Sequence, residues 1–210
     1  MLSKDKIISL LNHSVSEKTA VMLHGTSIET AFKFFDTGIL PTGMPVKGTR
    51  NFLYFAPIGT KLQGTKFYER FKNYTFEYAL KEAKFYARFY AEELYIMNTL
   101  IAESVEPKYA FKIYLIWQDG YNLRIPKNLE QKVDSLDWDK IRAEARKRFG
   151  AVIEIGDSIL DLKLGLQPDS ARDLRAWCPN GLSVSYINGI KLVGKKDKEL
   201  LEDYLSKRKN

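Results

Sequence analysis

The chain has 210 residues, 45% of them hydrophobic and 28% charged. That composition excludes disordered, collagen-like and low-complexity classes and fits one globular domain over 1–210 with a sizeable core. The single cysteine, Cys178, excludes an internal disulfide, and with only His13 and His24 beside it no structural zinc set can be drawn. A net charge of +7 favours anionic partners, and no apolar run approaches the ~20 residues of a membrane span.

In chain order, residues 4–12 read as a helix with Ile7, Ile8, Leu10 and Leu11 on its apolar face. This opening mixes acids and bases and reads as a helix rather than a secretory signal, so a cytoplasmic location is expected. Residues 21–23 read as a first strand. In Thr26-Ser27-Ile28-Glu29 the spacing predicts a capping box at a helix start. Ile28, Ala31, Phe32 and Phe35 then repeat as an amphipathic stripe, and Gly38 stands where a left-handed cap is wanted.

Residues 41–50 read as a Pro/Gly loop, 52–56 as a second strand and 57–74 as a long polar and aromatic loop. The longest helix is expected from Thr75 to about Ala102, on the spacing of Phe76, Ala79, Leu80, Ala83, Ala87, Tyr90, Ala91 and Leu94. Residues 109–117, β-branched and aromatic, read as a central strand. A loop over 118–128 follows. A helix over 138–149 has acids at its start, bases at its end and Gly150 after it, the order a helix dipole favours. Residues 151–155 read as a strand, 156–171 as irregular, 174–178 and 187–193 as strands, and 197–208 as a terminal helix. Strands and helices mix without strict alternation, so the expected class is α+β.

His24 thus stands at the mouth of a strand–turn–helix unit, beside the free N–H groups of a helix start. That setting suits a ligand carrying amides and ribose hydroxyls. Leu23-His24-Gly25-Thr26, a short helix ending in Gly38-Ile39-Leu40, and the strand Leu53-Tyr54-Phe55-Ala56 together resemble the NAD-binding half of an ADP-ribosyltransferase. The branch is that of diphtheria toxin and the poly(ADP-ribose) polymerases, with some likeness to DarT-like toxins. The closing Tyr186-Ile187-Asn188-Gly189-Ile190 resembles the family's last strand, and the resemblance covers roughly residues 20–195.

The resemblance implies two small packed β-sheets around an NAD cleft with flanking helices. It implies that His24 bonds the ribose, that Gly25 clamps the carboxamide through its backbone with Thr26 beside it, and that Tyr54 stacks on the nicotinamide. Tyr86 is the second stacking candidate. NAD is then a substrate, and the product is ADP-ribose on a macromolecule, nucleic acid being favoured slightly over protein by the basic charge. The alignment puts Arg175 where the family's catalytic Glu stands, and an Arg there opposes the positive charge that grows as nicotinamide leaves. Asp173, two residues earlier on the same strand face, is the acid expected to take over.

Two alternatives stay open. A non-catalytic member of the fold would bind NAD, ADP-ribose or a nucleic-acid end without turnover. RNA 2′-phosphotransferases, which share this fold, suggest phosphate roles for Arg50, His24 and Arg175. Asp119 and Glu154 are reserve acids, with Glu154 read first as a paired structural carboxylate. Arg142, Arg146, Lys147 and Arg148 form a basic cluster that suits a nucleic-acid backbone or a solvated helix end. Ser14, Ser104 and Cys178 have no base at readable spacing, which argues against a hydrolase.

Overall fold

The computed structural model describes residues 1–42, 52–120, 124–161, 165–169 and 173–208, without the side chains of 117–119. The expected loop over 41–50 lies outside the described residues from 43 onward, and Arg50 with it.

The chain starts with helix α1 (Lys4–Asn12), capped by the Ser3 hydroxyl, and runs into strand β1 (Met22–Thr26). Helix α2 (Ile28–Thr37) follows at once. Its N-cap is Ser27, whose Oγ accepts from the Thr30 N–H at 3.1 Å, so the capping box expected on Thr26 shifts by one residue. Thr26 is held in the β1 ladder instead, opposite Ala151. Gly38 closes the helix at φ 74°, a conformation that favours glycine, and its N–H bonds the Phe34 carbonyl at 2.7 Å.

Strands β2 (Ile39–Leu40) and β3 (Phe52–Pro57) come next, then a 3₁₀ turn (Gly59–Leu62) and the short helix α3 (Tyr68–Phe71). Helix α4 (Phe76–Ala102) is capped by Thr75. Its first half lays Ala79, Ala83, Ala87 and Ala91 against the sheet, all at most 1% exposed. Small side chains at this i, i+4 spacing let helix and strand backbones approach closely. At Gly25 the approach is so close that an added Cβ would sit 2.0 Å from the Ala83 carbonyl oxygen and 2.5 Å from the Ala87 nitrogen.

The central strand expected over 109–117 is a helix, α5 (Pro107–Asp119). Pro107 stands in its first turn and Gly120 caps it at φ 66°, the pair of end signals that outweighs β-branched composition. Its buried residues Ala110, Phe111, Ile113 and Tyr114 have helical spacing and meet Ile96, Met97 and Leu100 in the second half of α4. Helices α6 (Lys127–Asp134), within and beyond the expected loop, and α7 (Trp138–Ala145) complete this cluster.

Strand β4 (Ala151–Ile155), strands β5 (Gln167–Pro168), β6 (Leu174–Trp177), β7 (Leu182–Ser183) and β8 (Ile187–Leu192), and helix α8 (Lys195–Ser206) end the fold. Every strand pair is antiparallel, in a six-stranded sheet ordered β5-β6-β3-β1-β4-β8 and a two-stranded one, β2-β7. The class is α+β. The sheets differ in size from the two small ones expected.

The main core lies between the large sheet and α1, α2 and α8. Ile7, Leu10, Phe34 and Phe35 meet Met22, Phe55, Ile153 and Ile155 there, all at most 2% exposed. Each such side chain contributes about 1.5–3 kcal/mol by leaving water.

Candidate functional site

The site opens where the large sheet divides. Strand β1 pairs with β4 along all five residues, but with β3 only at Met22↔Pro57 and Leu23↔Ala56. Past that point the His24 ring bridges the two strands: its Nδ1 lies 2.8 Å from the Tyr54 carbonyl oxygen. A carbonyl only accepts, so Nδ1 carries the proton. In the neutral ring Nε2 is then an acceptor. Burial lowers the His24 pKa, and the bond to Tyr54 opposes that without cancelling it.

A cavity of about 510 Å³ occupies the gap, within the usual range for small-molecule sites. Its strand wall carries His24, Thr26, Phe52 and Tyr54. Helix α4 supplies Tyr86, Tyr90 and Glu93, and α2 supplies Thr30 and Lys33. Asp169 and Asp173, at the ends of the segment joining β5 to β6, close the near end.

At that near end the Tyr86 hydroxyl donates to Asp173 Oδ2 at 3.2 Å. Burial first, and then the Asp173 charge, push the Tyr86 hydroxyl well above its ordinary value, so it stays a donor. Tyr90 is pushed up to about 12 by burial and by the charges of Glu93 and Asp173, the phenol of Tyr54 adding to the effect.

Arg175 is opposite Tyr54 in the β3–β6 ladder. Its guanidinium is 2.7 Å from the Asp169 carboxylate, donates to Gln167 Oε1 at 3.3 Å, and lies 4.6 Å from the centre of the Phe52 ring. Its charge is therefore compensated beside the cavity, and Arg175 does not line it.

Of the residues singled out in the sequence, His24, Thr26, Tyr54, Tyr86 and Asp173 share this one cavity. Gly25 lines a small recess next to it, with His24, Tyr54, Tyr86 and Asp173 again in the wall. Glu154 lies elsewhere: fully buried, it accepts from His13 Nε2 at 3.1 Å, the Ser16 N–H at 3.0 Å and Asn188 Nδ2 at 3.3 Å. It is a paired structural carboxylate. Asp119 is the last residue of α5, not part of a loop after a strand. In the basic cluster, Arg148 lies 5.0 Å from the Tyr95 ring centre and 4.0 Å from Glu29, and Arg142 lies 4.0 Å from Asp139. Burial pushes the Cys178 thiol up to about 11, away from nucleophilic use.

Glu93, Lys33 and Asp169 were not singled out. For Glu93 a signal existed: Tyr86, Tyr90 and Glu93 stand at i, i+4, i+7, one face of α4. For Asp169 only the sheet order supplies the reason. Among the described residues no group of His, Cys, Asp or Glu could hold a metal ion, and no helix is long and apolar enough to cross a membrane. No protein-family model matches the chain, and no curated protein or solved structure matches it either.

Proposed function

We propose that the chain is an NAD-dependent ADP-ribosyltransferase acting on a macromolecular acceptor, in the cytoplasm. One observation carries the reading. His24, Tyr54, Tyr86 and Asp173 come from four distant parts of the sequence, and all of them line one cavity. Together they offer the aromatic faces, the acceptor and the carboxylate that this reading uses. Tyr54 and Tyr86 offer aromatic faces for the nicotinamide ring. The bare Nε2 of neutral His24 accepts from a ribose hydroxyl.

In the proposed step the C1′–N bond breaks, and both its electrons leave with nicotinamide, which becomes neutral. The ribose takes up the positive charge at C1′ and its ring oxygen. The Asp173 carboxylate stabilises that charge, with Tyr86 fixing its position. A nucleophile of the acceptor then bonds to C1′ and gives up its proton to water. Arg175 does not oppose the step, because Asp169 compensates its charge. The basic chain favours nucleic acid over protein as acceptor. The phosphotransferase reading has less support: burial holds His24 towards its neutral form, and Arg175 is ion-paired.

The test is nicotinamide release from NAD, with and without DNA, RNA and cell lysate, for the native protein, His24→Ala and Asp173→Asn. Release is expected from the native protein, with a loss of roughly 100-fold or more in Asp173→Asn. Folded protein that releases no nicotinamide in any mixture overturns the proposal. Release that survives in Asp173→Asn removes Asp173 from it.

A further inference from the structure

Among the described residues two aromatic side chains are exposed, Phe85 at 61% and Trp177 at 48%. Both stand beside the cavity of the candidate site. Phe85 precedes Tyr86 on α4 and comes one turn before Phe89, and Tyr86 and Phe89 line the cavity. Trp177 is opposite Phe52 in the β3–β6 ladder, so the two share a sheet face, and Phe52 lines the cavity too.

The rings of α4 form a path inward. The centre of Phe85 lies 5.5 Å from that of Tyr86, and Tyr86 lies 6.2 Å from Tyr90 with the planes 22° apart. Aromatic contact therefore runs from solvent at Phe85 to the cavity wall at Tyr90, past the hydrogen bond of Tyr86 to Asp173.

The charge around Phe85 names the occupant. Residues 81–88 carry three bases, Lys81, Lys84 and Arg88, against one acid, Glu82. Lys81 and Arg88 flank Phe85 at i−4 and i+3, the spacings of neighbours on a helix surface. Arg88 is paired with Glu92, whereas Lys81 and Lys84 are exposed and have no ion-pair partner among the described residues. In a single nucleic-acid strand every base offers a flat face to an aromatic ring and every phosphate an anion to a lysine. In a duplex those faces are already stacked. An acidic peptide would satisfy the lysines and leave both rings without a stacking partner. We propose that Phe85 and Trp177 are stacking platforms for a single-stranded nucleic acid, which Lys81 and Lys84 hold so that one of its nucleotides reaches the cavity at Tyr86 and Asp173. This names the acceptor and rests on the transferase reading, but strand binding itself needs no NAD.

The experiment measures fluorescence anisotropy of labelled DNA and RNA oligonucleotides, single-stranded and duplex, over a range of salt. The proteins are the native chain, Phe85→Leu, Trp177→Leu and the double variant Lys81→Gln, Lys84→Gln. All four positions are exposed, so the variants keep the fold. The native protein is expected to bind single-stranded DNA or RNA more tightly than duplex. Each leucine variant keeps an apolar side chain without the aromatic face, and each is expected to weaken strand binding roughly tenfold. The double variant should flatten the slope of log affinity against log salt by roughly 1.4, two single-strand phosphate contacts at about 0.7 each.

A native protein that binds neither DNA nor RNA strands, or binds duplex as tightly, overturns the inference, and so do leucine variants of native affinity. Polyglutamate bound as tightly as the oligonucleotides marks a surface for acidic protein and overturns it as well. Strand binding without nicotinamide release leaves the inference standing and removes the transferase reading. Release without strand binding does the reverse, so the two failures are distinct.

Discussion

Gly25→Ala adds one methyl group at the point where β1 and α4 come closest. The new Cβ would lie 2.0 Å from the Ala83 oxygen and 2.5 Å from the Ala87 nitrogen. Both are backbone atoms, so no rotamer change relieves the contact. Gly25 is not among the glycines of positive φ, so the loss is steric rather than conformational.

To restore an ordinary contact of 3.4 Å from 2.0 Å, helix and strand must separate by about 1.4 Å, an overpacking that costs about 3 kcal/mol. For a chain of this length each kcal/mol shifts Tm by about 2–4 °C, so a fall of roughly 6–12 °C is expected. The same displacement moves Tyr86, which precedes Ala87, away from Asp173. A misplacement of about 1 Å in a reacting group costs roughly 100-fold in rate. Thermal and urea unfolding measure the first effect, and NAD binding with nicotinamide release measures the second. Ala83→Gly should not rescue either, because the clash is with the main chain. A Gly25→Ala protein with native Tm would refute the packing of β1 on α4 described here.

Two further outcomes are expected. His24 is held below its ordinary pKa of 6.5 by burial. The unfolded chain therefore takes up that proton first as pH falls, and the stability His24 contributes is complete above pH 6.5 and lost as pH drops through the lower folded value. Urea midpoints at pH 7.5 and 5.5 should fall more in the native protein than in His24→Gln, and equal falls would contradict the burial argument. Glu154→Ala leaves His13, the Ser16 N–H and Asn188 without their common acceptor. It should destabilise by about 3 kcal/mol or more, read by urea denaturation, while NAD affinity stays native because Glu154 does not line the cavity; a loss of affinity at full folding would show otherwise.

The elements legible in the sequence were those with local causes. The stripe of α2, the left-handed cap at Gly38 and the long run of α4 follow from hydrogen bonds and side-chain spacing within a few residues. Tyr86 falls on the helix that follows Tyr54, as its spacing indicates, whereas His24, expected at the mouth of a turn after a strand over 21–23, lies in the middle of β1, which runs on through Thr26. The misreading of 109–117 had a local cause as well: alternating aromatic and β-branched residues outweighed Pro107 and Gly120, which the helix obeys.

The tertiary structure decided what lies beside what. Asp173 meets Tyr86 across 87 residues only because β6 pairs with β3 and α4 crosses the sheet. Arg175 is ion-paired only because the pairing of β5 with β6 sets Asp169 beside it. Glu93 reads as an ordinary acid on a helix until the fold encloses it in the cavity wall. Spacing and capping act over a few residues and leave a local trace, whereas sheet order and burial arise from contacts between distant segments and leave none in any short stretch of sequence.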